Sequence, residues 1–517
     1  MDFKGFLFHP SSLTEATLAV ILAICLSKVI GSILVEKKGK KRYHPVIGTT
    51  LNLMLNFSRL HHYLTHLTTK YRSFRLLAPY GSMVITVDPA NVEHILKTNF
   101  ANYVKGWYHH EILSDLLGDG IFTVDGEKWQ HQRKISIYEF STKKLKEFSS
   151  GVFRNNGTKL AQILSKAAAS NQLIEIQDLL MKSTLDSIFK IILGVDLDSM
   201  CGTNEEGKRF YEAFDEANTR TMYRYVDIVW KIKKLLNIGS EALLRDKIKV
   251  VDEFVYKLIQ SKIEQVHNSQ DDSTVKKQDI LSRFLELKET DPKYLKDIIL
   301  SIIIAGKDTT ASTLSWFVYM LCKHPHIQEK IAREVREATK LKDNSTLDEL
   351  AASITEDALD KMQYLHAALT ETLRLYPAVP MEGKLCESDD ILPDGFNVRG
   401  GNTVHFHPYA MGRMKFLWGD DAEEFRPERW LNEGGIFQQE SPFKFSAFNA
   451  GPRICLGKAF AYRQMKIFSA VLLGAFVFRL SDEKKEVNYK TALTLHIDGG
   501  LHIQTSNRME NGGSMDV

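Results

Sequence analysis

The chain has 517 residues, well beyond the ~100–200 of a typical domain, so it can bury a large core. Its composition, 44% hydrophobic and 25% charged, is that of a folded protein. The 67 Lys and Arg against 64 Asp and Glu leave a net charge of +3, too small to suggest nucleic-acid binding, and that class is set aside.

The apolar run at 13–35, "LTEATLAVILAICLSKVIGSILV", matches the ~30 Å of a bilayer core as a helix, interrupted by Glu15 and Lys28. A basic cluster, Lys37, Lys38, Lys40, Lys41 and Arg42, follows it, whereas only Lys4 precedes it, the reverse of a removable signal peptide. The positive-inside tendency puts residues 1–12 in the lumen, 13–35 across the membrane, and the basic linker 36–48 and body 49–505 in the cytosol. A buried core helix is the alternative, because Lys28 lowers the hydropathy. "FRLLAPYGSMVITV" at 74–87, with Pro-Tyr-Gly at its centre, predicts a hairpin. From Asn91 to about Lys340 the apolar spacing is helical, so the body is mainly α. The polar run 267–278 predicts a surface loop, 391–407 a second small β region, and 506–517 a disordered tail.

"EKWQHQRK" puts Trp129 and Arg133 on one helical face, a pattern that alone fits a core Trp beside a surface Arg. The segment 295–324 predicts a helix of roughly 45 Å that crosses the body. Ala305 and Gly306 form a small pair inside it, which costs helix stability unless something approaches closely. Asp308, Thr309 and Thr310 follow; in so apolar a helix they are either hydrogen-bonded core residues or in use. "TETLRLYP" places Glu371 and Arg374 one turn apart, but Glu206/Arg209 and Glu423/Arg426 match E-x-x-R too. "FRPERW" at 425–430, with Arg429, follows about 50 residues later.

The most specific motif is "FKFSAFNAGPRICLG", 443–457. It fits F-x-x-G-x-R-x-C-x-G through Phe448, Gly451, Arg453, Cys455 and Gly457, a chance match on the order of one in several thousand. The glycines allow a loop to approach a flat partner, and the helical composition after Cys455 puts the sulfur near a helix N-terminus, which favours a thiolate. A lone thiolate suits the axial position of a haem iron. The five cysteines, Cys25, Cys201, Cys322, Cys386 and Cys455, are scattered, odd in number and without C-x-x-C, which speaks against disulfides and zinc knuckles and for a reducing compartment. Apart from Cys455 they read as buried small hydrophobes.

This loop resembles the cysteine-ligand loop of the haem-thiolate cytochrome P-450 monooxygenases. The other motifs follow that family's order from Trp129 to Gly457, and the anchor fits its microsomal branch. "IIIAGKDTT", "TETLRLYPAVP" and "FNAGPRICLGKAFAYRQMK" are most similar to the plant branch that hydroxylates long-chain fatty acids at or near the ω end. The resemblance implies a mainly α fold with a small β region behind one transmembrane helix. It implies haem b on Cys455, propionates met by Arg453, Trp129 and Arg133, and a distal helix where Thr309 holds the proton network and Asp308 feeds it. Glu371, Arg374 and Arg429 are then a buried structural triad, and Ile304, Ala305, Val379 and Leu493 line the substrate pocket.

Electrons would come from NADPH through a membrane-bound reductase docking on the cysteine side, where Lys458, Arg463 and Lys466 contribute a basic patch, with O2 as co-substrate. Lys307 stands where that branch commonly has Arg; it keeps the charge, points away from the haem, and is expected to matter little. The linker carries one proline where the family often has several. A fatty chain would enter from the endoplasmic reticulum membrane, and no residue that grips its carboxylate is legible. Alternatives are a haem-thiolate isomerase or dehydratase of lipid hydroperoxides, a monooxygenase of alkanes or other hydrophobic small molecules, and an anchored haem sensor or carrier.

Overall fold

A computed structural model describes residues 48–508 except 79–80, 141, 269–278, 288, 341 and 343–344. The anchor at 13–35, nearly all of the basic linker, Cys25, most of the 267–278 loop and the tail after 508 lie outside the described residues. Among those described, no helix is long and apolar enough to cross a membrane.

The body is mainly helical. Its principal helices are α1 (Gly106–Leu117), α2 (Gly126–Phe140), α3 (Lys143–Ala169), α4 (Ile176–Leu193), α5 (Glu205–Tyr223), α6 (Gly239–Asn268), α7 (Pro292–Lys323), α8 (Pro325–Thr339), α9 (Gln363–Leu375) and α10 (Lys458–Ala475). Helix α7 starts where Pro292 takes the first turn and the Asp291 carboxylate accepts from Lys293 N at 3.0 Å, satisfying one of the free N–H groups. Helix α4 is bounded by the Glu175 carboxylate, which accepts from Gln177 N and Asp178 N, and by Gly194 at φ 74°. Buried Ile, Leu and Phe of α3, α4, α7, α9 and α10 form one core with α7 at its centre, packed on α4, α9 and α10.

The predicted hairpin is β1 (Ser73–Ala78) and β2 (Gly81–Thr86), paired from Ser73↔Thr86 to Ala78↔Gly81. It belongs to a five-stranded sheet with β3 (Tyr103–Val104), β5 (Glu382–Cys386) and β8 (Thr403–Phe406), in the order β1-β2-β8-β5-β3. The parallel β2–β8 register, Met83↔Thr403 to Thr86↔Phe406, joins the early and late β regions that the sequence presents as separate. Smaller pairings join β4 (Ile174–Glu175), β9 (Phe476–Leu480) and β12 (His502–Asn507); β6 (Asp390–Ile391) and β7 (Asn397–Val398); and β10 (Tyr489–Lys490) and β11 (His496–Ile497). Strand β12 pairs to Asn507 opposite Phe476, so the folded body ends at least two residues beyond the expected 505.

Candidate active site

The cysteine loop is a tight turn built on backbone. Cys455 N donates to Phe448 O at 2.8 Å, and the Phe448 ring packs on Tyr462 with centroids 5.2 Å apart. Gly451 has φ 63°, and a Cβ there would stand 1.9 Å from Leu96 O, so only glycine lets the loop lie against that segment. Gly457 caps α10 and its N–H donates to the Cys455 sulfur. Cys455 is solvent-accessible, yet the surrounding protein desolvates it, and burial pushes its thiol up against the opposing pull of Gly457 N–H, Arg133 and Lys458. The sulfur thus lies at the bottom of a recess. The helix N-terminus does not by itself make a thiolate; a coordinated metal cation would favour one.

Around that recess the cations are desolvated. Trp129 is buried, and the Arg453 guanidinium lies over its ring at 4.3 Å, so the W-x-x-x-R face and the cysteine loop meet. Arg453 Nη2 donates to Asp125 Oδ1 at 2.5 Å and to Val124 O at 3.1 Å, while its Nε is buried with no hydrogen-bond partner. Burial lowers the pKa of Arg133, opposed by the field of Cys455. An orphaned guanidinium N–H, a second desolvated arginine and an accessible sulfur fit a flat macrocycle with an acidic edge.

Asp125, Lys105, Glu382 and Lys384, none of them marked by a motif, extend this charged layer. The Asp125 carboxylate accepts from Lys105 N and Gly106 N at 3.0 Å each, and Glu382 Oε1 accepts from Lys105 Nζ at 2.6 Å and Lys384 Nζ at 3.1 Å. Burial, with Lys105 adding to it, lowers the Lys384 ammonium to about 7.

Helix α7 carries the second accessible surface. From Leu295 to Val318 every residue is buried except Ile302, Ala305, Gly306 and Thr309, a stripe at helical spacing. Thr309 Oγ1 donates to Ala305 O at 2.5 Å, within the stripe. Gly306 serves packing: a Cβ there would stand 2.6 Å from Ile188 Cδ1 on α4. Ile304, expected in the pocket, is 5% exposed and sits in the core, because it leaves the helix on another face; Ile302 is the accessible isoleucine. Val379, after α9, and Leu493, before β11, are half-buried. Asp308 is fully buried and turned from the stripe, accepting from Lys307 Nζ at 2.8 Å and from Asn218 Nδ2 at 3.1 Å.

Of the three E-x-x-R pairs only one closes. Arg374 Nε and Nη2 donate to Glu371 at 2.8 and 2.7 Å, both side chains out of solvent. Arg429 Nε adds a bond to Glu371 at 3.3 Å, and Trp430 Nε1, the last residue of "FRPERW" and given no role above, another at 2.9 Å. Arg374 also donates to Glu424 O at 2.9 Å and to the carbonyls of Gly412 and Ala422, fixing the segment that leads to the cysteine loop. Glu206 instead accepts from Lys257 at 2.8 Å, and Arg426 pairs with Asp421 at 2.5 Å.

Two surface expectations are corrected. Lys466 is buried with its ammonium bonded to Leu359 O, and Arg463 pairs with Glu356 at 3.2 Å, so with half-buried Lys458 they make no open basic patch. Helix α10 turns that face into the core. Cys386 is buried and burial pushes the Cys322 thiol up to about 12, as for core thiols, but Cys201 is exposed.

A family model described as Cytochrome P450 matches residues 39–503. The chain is 50% identical over 507 residues to Cytochrome P450 704C1 of Pinus taeda, covering 95% of this chain and 97% of that one. It is 42% identical over 505 residues to Cytochrome P450 704B1 of Arabidopsis thaliana, covering 92% and 95%, and 37% identical over 478 residues to Cytochrome P450 94A1 of Vicia sativa, covering 90% of each.

Proposed function

The chain belongs to the cytochrome P450 family, a haem-dependent monooxygenase using O2 and reductase-supplied electrons, and from that premise we propose that it hydroxylates a long-chain fatty acid at or near its ω carbon. The observation that carries the substrate reading is the α7 stripe: Ile302 and Ala305 offer only apolar surface and Thr309 the one hydroxyl, a lining that suits an alkyl chain end and offers a carboxylate no partner. The motif resemblance to plant ω-hydroxylases supports the same reading.

Haem would be held by the Cys455 sulfur, with Arg453, Arg133 and Trp129 meeting its acidic groups, and would supply O2 activation there. Phe448, Gly451 and Gly457 shape the loop that presents the sulfur. The Thr309 hydroxyl, now donating to Ala305 O, holds a proton at the stripe, and Asp308, next in the chain but turned from the stripe, feeds that proton network only once its carboxylate swings round. Ile302 and Ala305 exclude water and orient the chain end. The 13–35 run anchors the protein in the endoplasmic reticulum membrane with its body in the cytosol, so that a lipid enters from the bilayer and an NADPH-dependent reductase meets the cytosolic side.

The test uses membranes carrying the full chain with reductase and NADPH, and a panel of dodecanoic to octadecanoic acids, alkanes and sterols. ω-Hydroxy acids from the fatty acids are expected. Products from alkanes or sterols alone, or from hydroperoxides without NADPH, would reject the reading. Cys455→Ser should abolish the thiolate-type carbon-monoxide spectrum.

A further inference from the structure

Lys307 lies at the midpoint of α7 with its side chain 1% exposed, one of the largest fully buried side chains described. A charge so buried persists only if paired. Its ammonium donates to two carboxylates, Asp308 beside it at 2.8 Å and Asp215 on α5. Asn218, one turn after Asp215, donates to the other oxygen of Asp308 at 3.1 Å. Tyr211 and Phe214, also on α5, wall the ammonium with ring centroids at 4.9 and 6.0 Å. From α4, Thr184 Oγ1 donates to Lys307 O at 3.1 Å, which pins the backbone of α7 here. The Asp215 side chain reaches water, at 38% exposed, beside half-buried Tyr211.

The arrangement therefore joins two helices through one buried cluster. Lys307 and Asp308 ride on the central helix, while the side chains hydrogen-bonded to their charged groups, Asp215 and Asn218, ride on α5; half-buried His496 of β11 faces the same charges without a hydrogen bond to them. Asp308 and Thr309 leave α7 in different directions, so with α5 seated the carboxylate is held away from the Thr309 stripe. If α5 shifts, Asp215 and Asn218 leave together, and Lys307 and Asp308 must rearrange or remain a buried pair short of partners.

We propose that Lys307 is a positioning residue for the reaction: through Asp215 it ties the seating of α5 on α7 to the orientation of the Asp308 carboxylate. The inference rests on the proposed roles of Thr309 and Asp308. It also replaces the expectation that Lys307 matters little.

The experiment uses the full chain in membranes with reductase and hexadecanoic acid. It reads amide hydrogen exchange along α5 and the ratio of product formed to NADPH consumed. Asp215→Asn touches neither Asp308 nor Thr309 and keeps the ammonium paired with Asp308. We expect it to speed α5 exchange about fivefold or more and to lower the product-to-NADPH ratio several-fold. Lys307→Met should do the same and Lys307→Arg should restore both. The proposal fails if Asp215→Asn changes neither quantity, or changes exchange without the ratio. It also fails if Lys307→Met lowers the ratio with α5 exchange unchanged, since Lys307 would then act on Asp308 alone. Should Lys307→Met not fold, Asp215→Asn still decides. Thr309→Ala separates this from the functional reading: an unchanged ratio there rejects the role of Thr309, whatever α5 does.

Discussion

Arg374 grips the Glu371 carboxylate through two parallel bonds of 2.8 and 2.7 Å, and neither side chain touches solvent. The pair is bidentate and dry, so removing one partner strands a charge rather than merely deleting a contact.

Arg374→Met should cost about 3–5 kcal/mol, because buried Glu371 keeps only the longer Arg429 contact to offset its charge and the carbonyls of Gly412, Ala422 and Glu424 lose their donor. Arg429→Met should cost less, about 2 kcal/mol: it gives up bonds to Trp418 O and Asp421 as well as the longer one to Glu371, but Glu371 keeps both bonds from Arg374. Urea unfolding of both variants beside the parent checks the order; equal costs would contradict it.

Gly451→Ala meets Leu96 O at 1.9 Å from a left-handed backbone. The loop must then move off Leu96, at a cost on the order of 2–3 kcal/mol, and haem content should drop. Gly435→Ala is the control: it shares the positive φ, at 72°, but its Cβ would meet nothing within 4 Å, so it should cost only the strain. Absorbance at the Soret band against protein concentration reads the difference.

His366 lies between Phe437 and Tyr462, ring centroids 4.3 Å from each, and burial lowers its pKa to about 3. The unfolded chain takes up a proton near pH 6.5 that the folded chain refuses until about pH 3. Its contribution is therefore complete above pH 6.5 and is lost as pH falls through that window, at up to about 1.4 kcal/mol per pH unit. His366→Phe should flatten the loss of stability between pH 6 and 4, measured as the change in urea midpoint; parallel curves would refute it.

Gly306→Val should push α7 off α4, because its Cβ would stand 2.6 Å from Ile188 Cδ1. A loss of about 1–3 kcal/mol is expected, and Ile188→Ala in the same chain should recover part of it. Strict additivity of the two changes would show that the contact does not matter.

Local chemistry made several features legible in the sequence alone. The cysteine loop could be read because its glycines, arginine and cysteine are required at fixed steps along one turn, and the hairpin at 74–87 because its turn residues sit between β-rich runs. Helix α7 could be read because apolar spacing is a property of neighbours in the chain, although its start at Pro292, behind the Asp291 cap, lies three residues before the expected 295. Tertiary structure decided what depends on distant partners. It chose Glu371 and Arg374 over two identical spacings, because only there does the fold exclude water and bring Arg429 and Trp430 to the same carboxylate. It joined Met83–Thr86 to Thr403–Phe406 in one sheet, took Lys466 out of the surface and left Ile302 rather than Ile304 partly exposed on α7. It also turned Lys307 from a spare cation into the hub of a buried cluster. Burial and charge pairing are set by which elements pack together, and spacing along the chain carries no record of that.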